Sequence, residues 1–195
     1  MKRKLNLYFD MDGVAIRYDR SGYVEPNPPF MQKGTHYFRH LPPDEKMIKV
    51  IRILLTDYKD SVNVFMLTSV CNIGSICLEQ ITDKIESVKE HIPELDTDTQ
   101  FLAAVSSDKP DIAEFIKMFQ QNGVLMNGAK LGMDDILIDD WNKNLESWRS
   151  AGGRAVKYCN GINSPESFNG LILDENMSAE DIVKMLTVHL NYLKQ

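Results

Sequence analysis

Apolar and polar positions fall into short strand-like runs separated by longer stretches of helical period. Residues 5–10 (LNLYFD) are an apolar run closed by an acid. Met47, Val50, Ile51, Leu54, Leu55 and Tyr58 recur at helical spacing on one face, and Asp44 after Pro42–Pro43 is a start signal. Residues 62–67 (VNVFML) form a second predicted strand. Leu78, Ile81, Ile85, Val88 and Ile92 mark a second amphipathic helix, closed by Pro93. Residues 100–105 (QFLAAV) are a third strand, and Pro110 opens a helix with Ile112, Phe115, Ile116 and Phe119 on one face. Residues 136–140 (ILIDD) are a fourth strand. The helix behind it carries Leu145 and Trp148 and stops at Gly152–Gly153, with Trp141 falling on the same apolar stripe. Residues 155–159 and 171–173 supply two further strands. Ser178 caps a last helix with Ile182, Met185, Leu186, Leu190 and Leu193 inside.

Strands and helices alternate, and the strands are short and apolar enough to be buried on both faces. The expected class is therefore α/β, a parallel sheet in three layers with helices on both sides. Residues 15–43 interrupt the pattern with Pro26, Pro28, Pro29, Pro42, Pro43 and several aromatics, and fit no long element. The 195 residues suffice for one domain with a small addition. Twenty-two basic against 28 acidic residues give a net charge of −6, which argues against a nucleic-acid polymer as partner. Three cysteines form no CxxC pair, as expected of free thiols in a reducing compartment. No apolar run approaches a membrane span and no leader pattern is present, so the expectation is a soluble, cytoplasmic protein.

In parallel sheets ligands bind beyond the carboxyl ends of the strands. The residues at those ends form a coherent set: Asp10 and Asp12 after the first strand, Thr68 and Ser69 after the second, Ser106, Ser107, Asp108 and Lys109 after the third, and Asp139 and Asp140 after the fourth. Clustered carboxylates suit Mg²⁺, which prefers hard oxygen ligands. A hydroxyl and a lysine beside them suit phosphate oxygens, and a carboxylate can itself serve as nucleophile. Lys130 is a rival to Lys109 but precedes the fourth strand, which puts it at the opposite edge. An EF-hand is excluded because Val14 and Ala15 occupy its fifth and sixth positions, where an oxygen ligand and a glycine are required. His36 and His40 have the spacing of a helical metal pair without an evident third ligand, so a metal role is disfavoured.

The segments YFDMDGV (8–14), FMLTS (65–69), Lys109 and ILIDD (136–140) resemble, in order, the four motifs of the haloacid dehalogenase (HAD) superfamily. DMDGV, LTS and LIDDWNKNL further resemble the deoxyribonucleotidase-like 5′-nucleotidases. The resemblance implies a Rossmann-like core over 1–14 and 44–195, with 15–43 as a short cap inserted after the first strand. It implies an Mg²⁺-dependent hydrolase of a small phosphate monoester, acting through an aspartyl-phosphate. Asp10 is then nucleophile and metal ligand. Asp12 is the general acid and base, and a metal ligand through its carbonyl. Thr68, Ser69 and Lys109 bind the phosphoryl group, and Asp140 or Asp139 completes the metal site, with Asp140 favoured. A nucleoside monophosphate is the expected substrate, a sugar phosphate or other small metabolite the alternative. Phe30, Tyr37 and Phe38 of the insertion either stack on a base or pack the cap onto the core. A receiver-type signalling domain would place its acidic pair first and its phosphorylated aspartate third, the reverse of this order. A catalytically idle phosphate-binding protein would not need the complete set.

Overall fold

The structure is a computed structural model that describes residues 4–18, 26–105, 108–122, 130–163 and 168–189, with the backbone alone at 118–122 and 189. Arg20 and Tyr23 of the 15–43 segment, and the expectations for Ser106, Ser107, Leu190 and Leu193 and for the ring of Phe119, lie outside the described residues. Six strands, β1 (Leu5–Phe9), β2 (Val62–Val70), β3 (Phe101–Val105), β4 (Asp135–Asp139), β5 (Arg154–Cys159) and β6 (Leu171–Asp174), form one parallel sheet in the order β3-β2-β1-β4-β5-β6. Among the described residues five α-helices accompany them: α1 (Glu45–Asp57), α2 (Gly74–His91), α3 (Lys109–Asn122), α4 (Asn142–Ser150) and α5 (Ala179–Lys184), the last running into a π-helical turn, Met185–His189. The expected α/β class and both-sided covering are found.

Period-two alternation divides each central strand between two cores. Leu7, Phe9, Val64, Met66, Ile136 and Ile138 face one cluster with α1 and α5 residues such as Leu54 and Ile182. Tyr8, Phe65, Leu67 and Leu137 face the other, with Ala113 of α3 and Leu145 and Trp148 of α4. α1 begins where Asp44 accepts the Met47 N–H (3.1 Å), and α5 begins where Ser178 Oγ accepts the Asp181 N–H (3.1 Å). No described helix is long and apolar enough to cross a membrane.

Three expectations about individual elements are corrected. β2 continues to Val70 rather than stopping at 67, because Thr68, Ser69 and Val70 keep parallel partners in Ala103, Ala104 and Val105. Trp141 is 53% exposed while Leu145 and Trp148 are buried. Trp141 is the extended N-cap of α4, so the helical stripe does not reach it. Leu78 is 68% exposed, because α2 turns a polar stripe inward instead: Gln80, Asp83, Lys84 and Ser87 are all buried, and only Val88 adds an apolar side chain from within the helix.

Residues 15–17 and 42–44 lie side by side: Arg17 N–H donates to Pro42 O (2.8 Å) and Asp44 N–H to Ala15 O (2.9 Å). The intervening segment thus leaves and rejoins the sheet edge at one point. Its described part holds two short 3₁₀ turns, Pro29–Met31 and Tyr37–Arg39, the second packed against α2.

Candidate active site

The chain order creates a topological switch beside β1: the connection after β1 moves toward β2 and β3, while β4 returns on its other side. In open parallel sheets a ligand crevice forms at such a point. Asp10 follows β1, its N–H bonded to Ile138 O of β4 (2.9 Å). A tight turn follows, in which Met11 O accepts the N–H groups of Val14, Ala15 and Ile16. Gly13 in this turn has φ +89°, and a Cβ there would lie 2.2 Å from Asp140 Oδ2. Glycine is required both by the backbone and by the carboxylate above it.

One carboxylate oxygen each of Asp10, Asp139 and Asp140 lie within 4.8 Å of one another, all three residues being buried. Lys109, the first residue of α3 and 1% exposed, reaches Asp10 Oδ1 (2.7 Å) and Asp139 Oδ2 (2.7 Å). Asp10 Oδ1 also accepts the Met11 N–H (2.8 Å). No donor reaches Asp10 Oδ2 among the described residues. Asp139 is engaged on both oxygens, since Asn144 donates to Oδ2 (3.0 Å) and Trp141 N–H to Oδ1 (2.8 Å). Asp140 Oδ2 accepts from Asn160 (2.8 Å) and Asn163 (2.5 Å), and Asn160 also grips Gly13 O (2.8 Å). Beneath it, buried Lys157 of β5 donates to Asp140 O (2.5 Å) and Asn142 Oδ1 (2.8 Å). Asp139 and Asp140, adjacent in the chain, both reach the cluster, because β4 ends at Asp139 and strict alternation stops with it.

Asp12 faces a different cation. Its Oδ2 accepts from Lys84 Nζ (2.5 Å), and Lys84 is fully buried and also donates to Thr68 Oγ1 (2.8 Å) and Ser69 O (2.7 Å). Asp12 Oδ1 is buried with no hydrogen-bond partner among the described residues. Thr68 is buried inside β2, while Ser69 lines a cavity of about 320 Å³ together with Asp12, Phe30, Phe38, Cys71 and Gln80. Lys130 stands elsewhere, exposed and paired with Glu114 (2.9 Å). A larger cavity, about 660 Å³, opens between Arg149, Arg154 and Gly170 at the amino edge of the sheet, and none of the described strand-end residues lines it.

The electrostatics record an excess of negative charge. Four carboxylates, those of Asp10, Asp12, Asp139 and Asp140, meet the ammonium groups of Lys84 and Lys109, and buried Lys157 brings a third to the Asp140 carbonyl, leaving one negative charge uncompensated when all are ionised. Asp10 is held well above the usual carboxylate range, first by burial, then by Asp139, Asp12 and Asp140, with Lys109 opposing. Asp140 is pushed up to about 7 by burial and Asp139, against the pull of Asn160, Asn163 and Lys109. Burial alone would lower Lys109, but its bonds to Asp10 and Asp139 raise it instead. The donor set is all oxygen, it is buried, and it carries an excess of negative charge, so these residues fit a hard metal ion.

A second group, His36, Glu79 and Asp83, ties the 26–43 segment to α2. His36 Nδ1 meets Asp83 Oδ1 (2.9 Å), and Glu79 accepts the N–H groups of Gly34 (2.7 Å) and His36 (3.3 Å). His40 is exposed and is not part of it. Phe30, Tyr37 and Phe38 pack on one another, the Tyr37–Phe38 pair edge-on at 5.2 Å between centroids, and Phe30 and Phe38 also border the cavity at Asp12.

Sequence reasoning missed Lys84, Lys157, Asn160 and Asn163. Asn160 follows β5 directly, so the strand-end rule would have found it if extended to the fifth strand. Lys84 lies at helical spacing from Gln80 and Ser87, and its signal is a polar stripe rather than an apolar one.

No family model and no curated protein matches the chain in sequence. Solved structures do match in fold. A haloacid dehalogenase-like family hydrolase from Streptococcus pneumoniae aligns with TM-score 0.58 at 10% identity, over 95% of this chain and 100% of that one. The D,D-heptose bisphosphate phosphatase from B. bronchiseptica, complexed with magnesium and phosphate, aligns with TM-score 0.54 at 13% identity, over 93% and 97%. The D,D-heptose 1,7-bisphosphate phosphatase from Burkholderia thailandensis aligns with TM-score 0.51 at 9% identity, over 98% and 100%. The chain therefore has the α/β, Rossmann-like HAD fold.

Proposed function

We propose that this protein is an Mg²⁺-dependent phosphomonoester hydrolase of the HAD type, with Asp10 as nucleophile and nucleoside 5′-monophosphates as substrates. The observation that carries the reading is Asp10 itself. It is buried at the carboxyl end of a central strand, with Oδ1 fixed by Lys109 and the Met11 N–H and no donor on Oδ2 among the described residues. That arrangement orients one oxygen for attack.

Asp10 Oδ2 attacks phosphorus while the ester P–O bond breaks. Asp12, protonated at this stage, gives its proton to the departing ester oxygen, and the alcohol leaves. Asp12, now a carboxylate, then takes a proton from a water that attacks the same phosphorus. The bond to Asp10 breaks, inorganic phosphate leaves and the aspartate is restored. Lys109 balances charge on Asp10 and the phosphoryl oxygens, and the Thr68 hydroxyl and Ser69 hold those oxygens. Asp10, Asp140 and the Asp12 carbonyl would hold Mg²⁺, while Asp139, saturated by Lys109, Asn144 and the Trp141 N–H, orients Lys109. A bound Mg²⁺ supplies charge neutralisation between the attacking carboxylate and the phosphate.

The nucleotide preference is supported by the cavity beside Asp12, which Phe30 and Phe38 border. The half-buried Phe30 ring there can stack on a base, with the buried Phe38 behind it as a wall, and 15–43 acts as the cap. The experiment is a phosphate-release assay over nucleoside monophosphates, sugar phosphates and p-nitrophenyl phosphate. Release should require Mg²⁺, cease reversibly with EDTA, and favour a nucleoside 5′-monophosphate in kcat/KM. Metal-independent turnover overturns the mechanism, and preference for sugar phosphates overturns the nucleotidase assignment alone.

A further inference from the structure

Lys84 comes from α2, an element that carries none of the strand-end motifs, yet it is fully buried against two of them. Its ammonium has three protons and three acceptors: Asp12 Oδ2 (2.5 Å), Thr68 Oγ1 (2.8 Å) and Ser69 O (2.7 Å). The Phe38 ring covers it at 4.1 Å from the centroid. With its donors spent and its outer side covered by the ring, Lys84 has no free proton to offer a phosphate. That separates it from Lys109, which sits at Asp10.

The consequence falls on Asp12. One oxygen is locked to Lys84, and the other, Oδ1, is buried without a partner among the described residues, although Asp12 lines the cavity. A buried oxygen left unpaired is costly, and it persists where the surrounding structure fixes it. A carboxylate turns easily about its terminal torsion, so without Lys84 either oxygen could swing away.

We infer that Lys84 is a positioning residue: it pins Asp12 so that Oδ1, and not Oδ2, meets the oxygen of the leaving group. The inference rests on the phosphohydrolase reading above and adds to it a residue from the helix that also anchors the cap. The proton that reaches the alcohol travels from Asp12 Oδ1, and Lys84 keeps its own protons throughout. Geometric misplacement of a catalytic group by about 1 Å costs on the order of 10²-fold in rate. That loss should appear where proton delivery matters, on alkyl esters, and fade on esters whose leaving group departs unprotonated.

The test measures kcat/KM for Lys84→Met on an alkyl phosphate and on p-nitrophenyl phosphate, with Mg²⁺ present, in both the wild-type and Asp12→Asn backgrounds. The expected loss on the alkyl ester is about 10²-fold, at least tenfold larger than on the aryl ester. In the Asp12→Asn background the same substitution should add less than about threefold, because its target is already gone. Lys84→Gln, which keeps one donor for Asp12, should show a smaller loss with the same selectivity, and it replaces the Met variant if that fails to fold. Equal losses on both esters, or an undiminished loss on top of Asp12→Asn, overturn the inference and leave Lys84 as a tie between α2 and β2. If Asp12→Asn shows the alkyl-selective loss and Lys84→Met does not, only this inference falls. If wild-type protein releases phosphate from neither ester, the phosphohydrolase reading falls and takes it along.

Discussion

Gly13→Ala adds a single methyl group at the point where the β1 turn meets the acid cluster. Two costs can be separated. A non-glycine residue at φ +89° carries left-handed strain of roughly 1–2 kcal/mol. In a domain of this size that lowers Tm by roughly 2–8 °C. The second cost is local. The new Cβ would lie 2.2 Å from Asp140 Oδ2 and 2.5 Å from its Cγ, where ordinary contact begins at 3.4 Å. The carboxylate must therefore retreat by about 1 Å, and Asn160, which holds both Gly13 O and Asp140 Oδ2, is pulled with it. A shift of that size costs about 10² in rate and should weaken Mg²⁺ binding. The assay is thermal unfolding with EDTA and with Mg²⁺, alongside phosphate release. Wild-type protein gains stability with Mg²⁺, about 2.7 kcal/mol at 100 times Kd. The variant should lose Tm in EDTA from strain and also lose most of the Mg²⁺ increment and of the turnover. A variant with lowered Tm but an intact Mg²⁺ increment and wild-type kcat/KM refutes the placement of Asp140 at the metal.

Asp10→Asn keeps shape and removes the attacking charge, so turnover should fall by orders of magnitude and no phosphoenzyme should be trapped on acid quench; measurable phosphoenzyme would exclude Asp10 as nucleophile. His36 is raised above its ordinary 6.5 by its hydrogen bond to Asp83, then by Asp83's charge and by Glu79 and Glu86, with slight burial opposing. A raised histidine stabilises below its unfolded value and loses that contribution as pH rises through the folded one. Tryptic cleavage at Lys33, normalised to an unfolded peptide, should therefore increase from about pH 6.5 upward, and His36→Asn should abolish the trend. Leu78→Glu should change stability by less than about 0.5 kcal/mol, whereas Ile92→Ala, at the buried end of α2, should cost about 2–5 kcal/mol in denaturant unfolding. A large loss from Leu78→Glu would mean that this face of α2 is covered.

The sheet was legible because its strands are short apolar runs whose period-two sides belong to two different cores, and because each ends in a residue with chemistry. Asp10, Asp139 and Asp140 were legible for the same reason. What hid Lys84 was the assumption that a helix buries its apolar stripe. In α2 the apolar residues Leu78, Ile81 and Ile85 lie exposed or half-buried, while Gln80, Asp83, Lys84 and Ser87 point inward. No single-sequence periodicity separates a polar stripe that faces solvent from one that faces a polar site. Trp141 failed for a smaller reason: helical spacing was extended one residue too far, across the N-cap of α4.

The inward polar stripe of α2 joins two features that the sequence keeps far apart. Gln80 accepts the Cys71 N–H (2.8 Å) and donates to Phe30 O of the insertion (2.7 Å). One turn on, Asp83 holds His36, and its neighbour Lys84 holds Asp12 while lying under Phe38. The insertion and Asp12, the proposed acid and base, are thus fastened to neighbouring positions of one helix. A displacement of the insertion that draws Phe38 away would uncover the Lys84 ammonium, let water compete for it and loosen Asp12. Truncating Phe38 to Leu should then do two things: raise KM for a nucleotide by removing an aromatic wall, and lower kcat on alkyl esters by weakening the hold on Asp12. A ring that serves only as a wall would change KM alone, so the split between KM and kcat decides whether insertion and acid are coupled through Lys84.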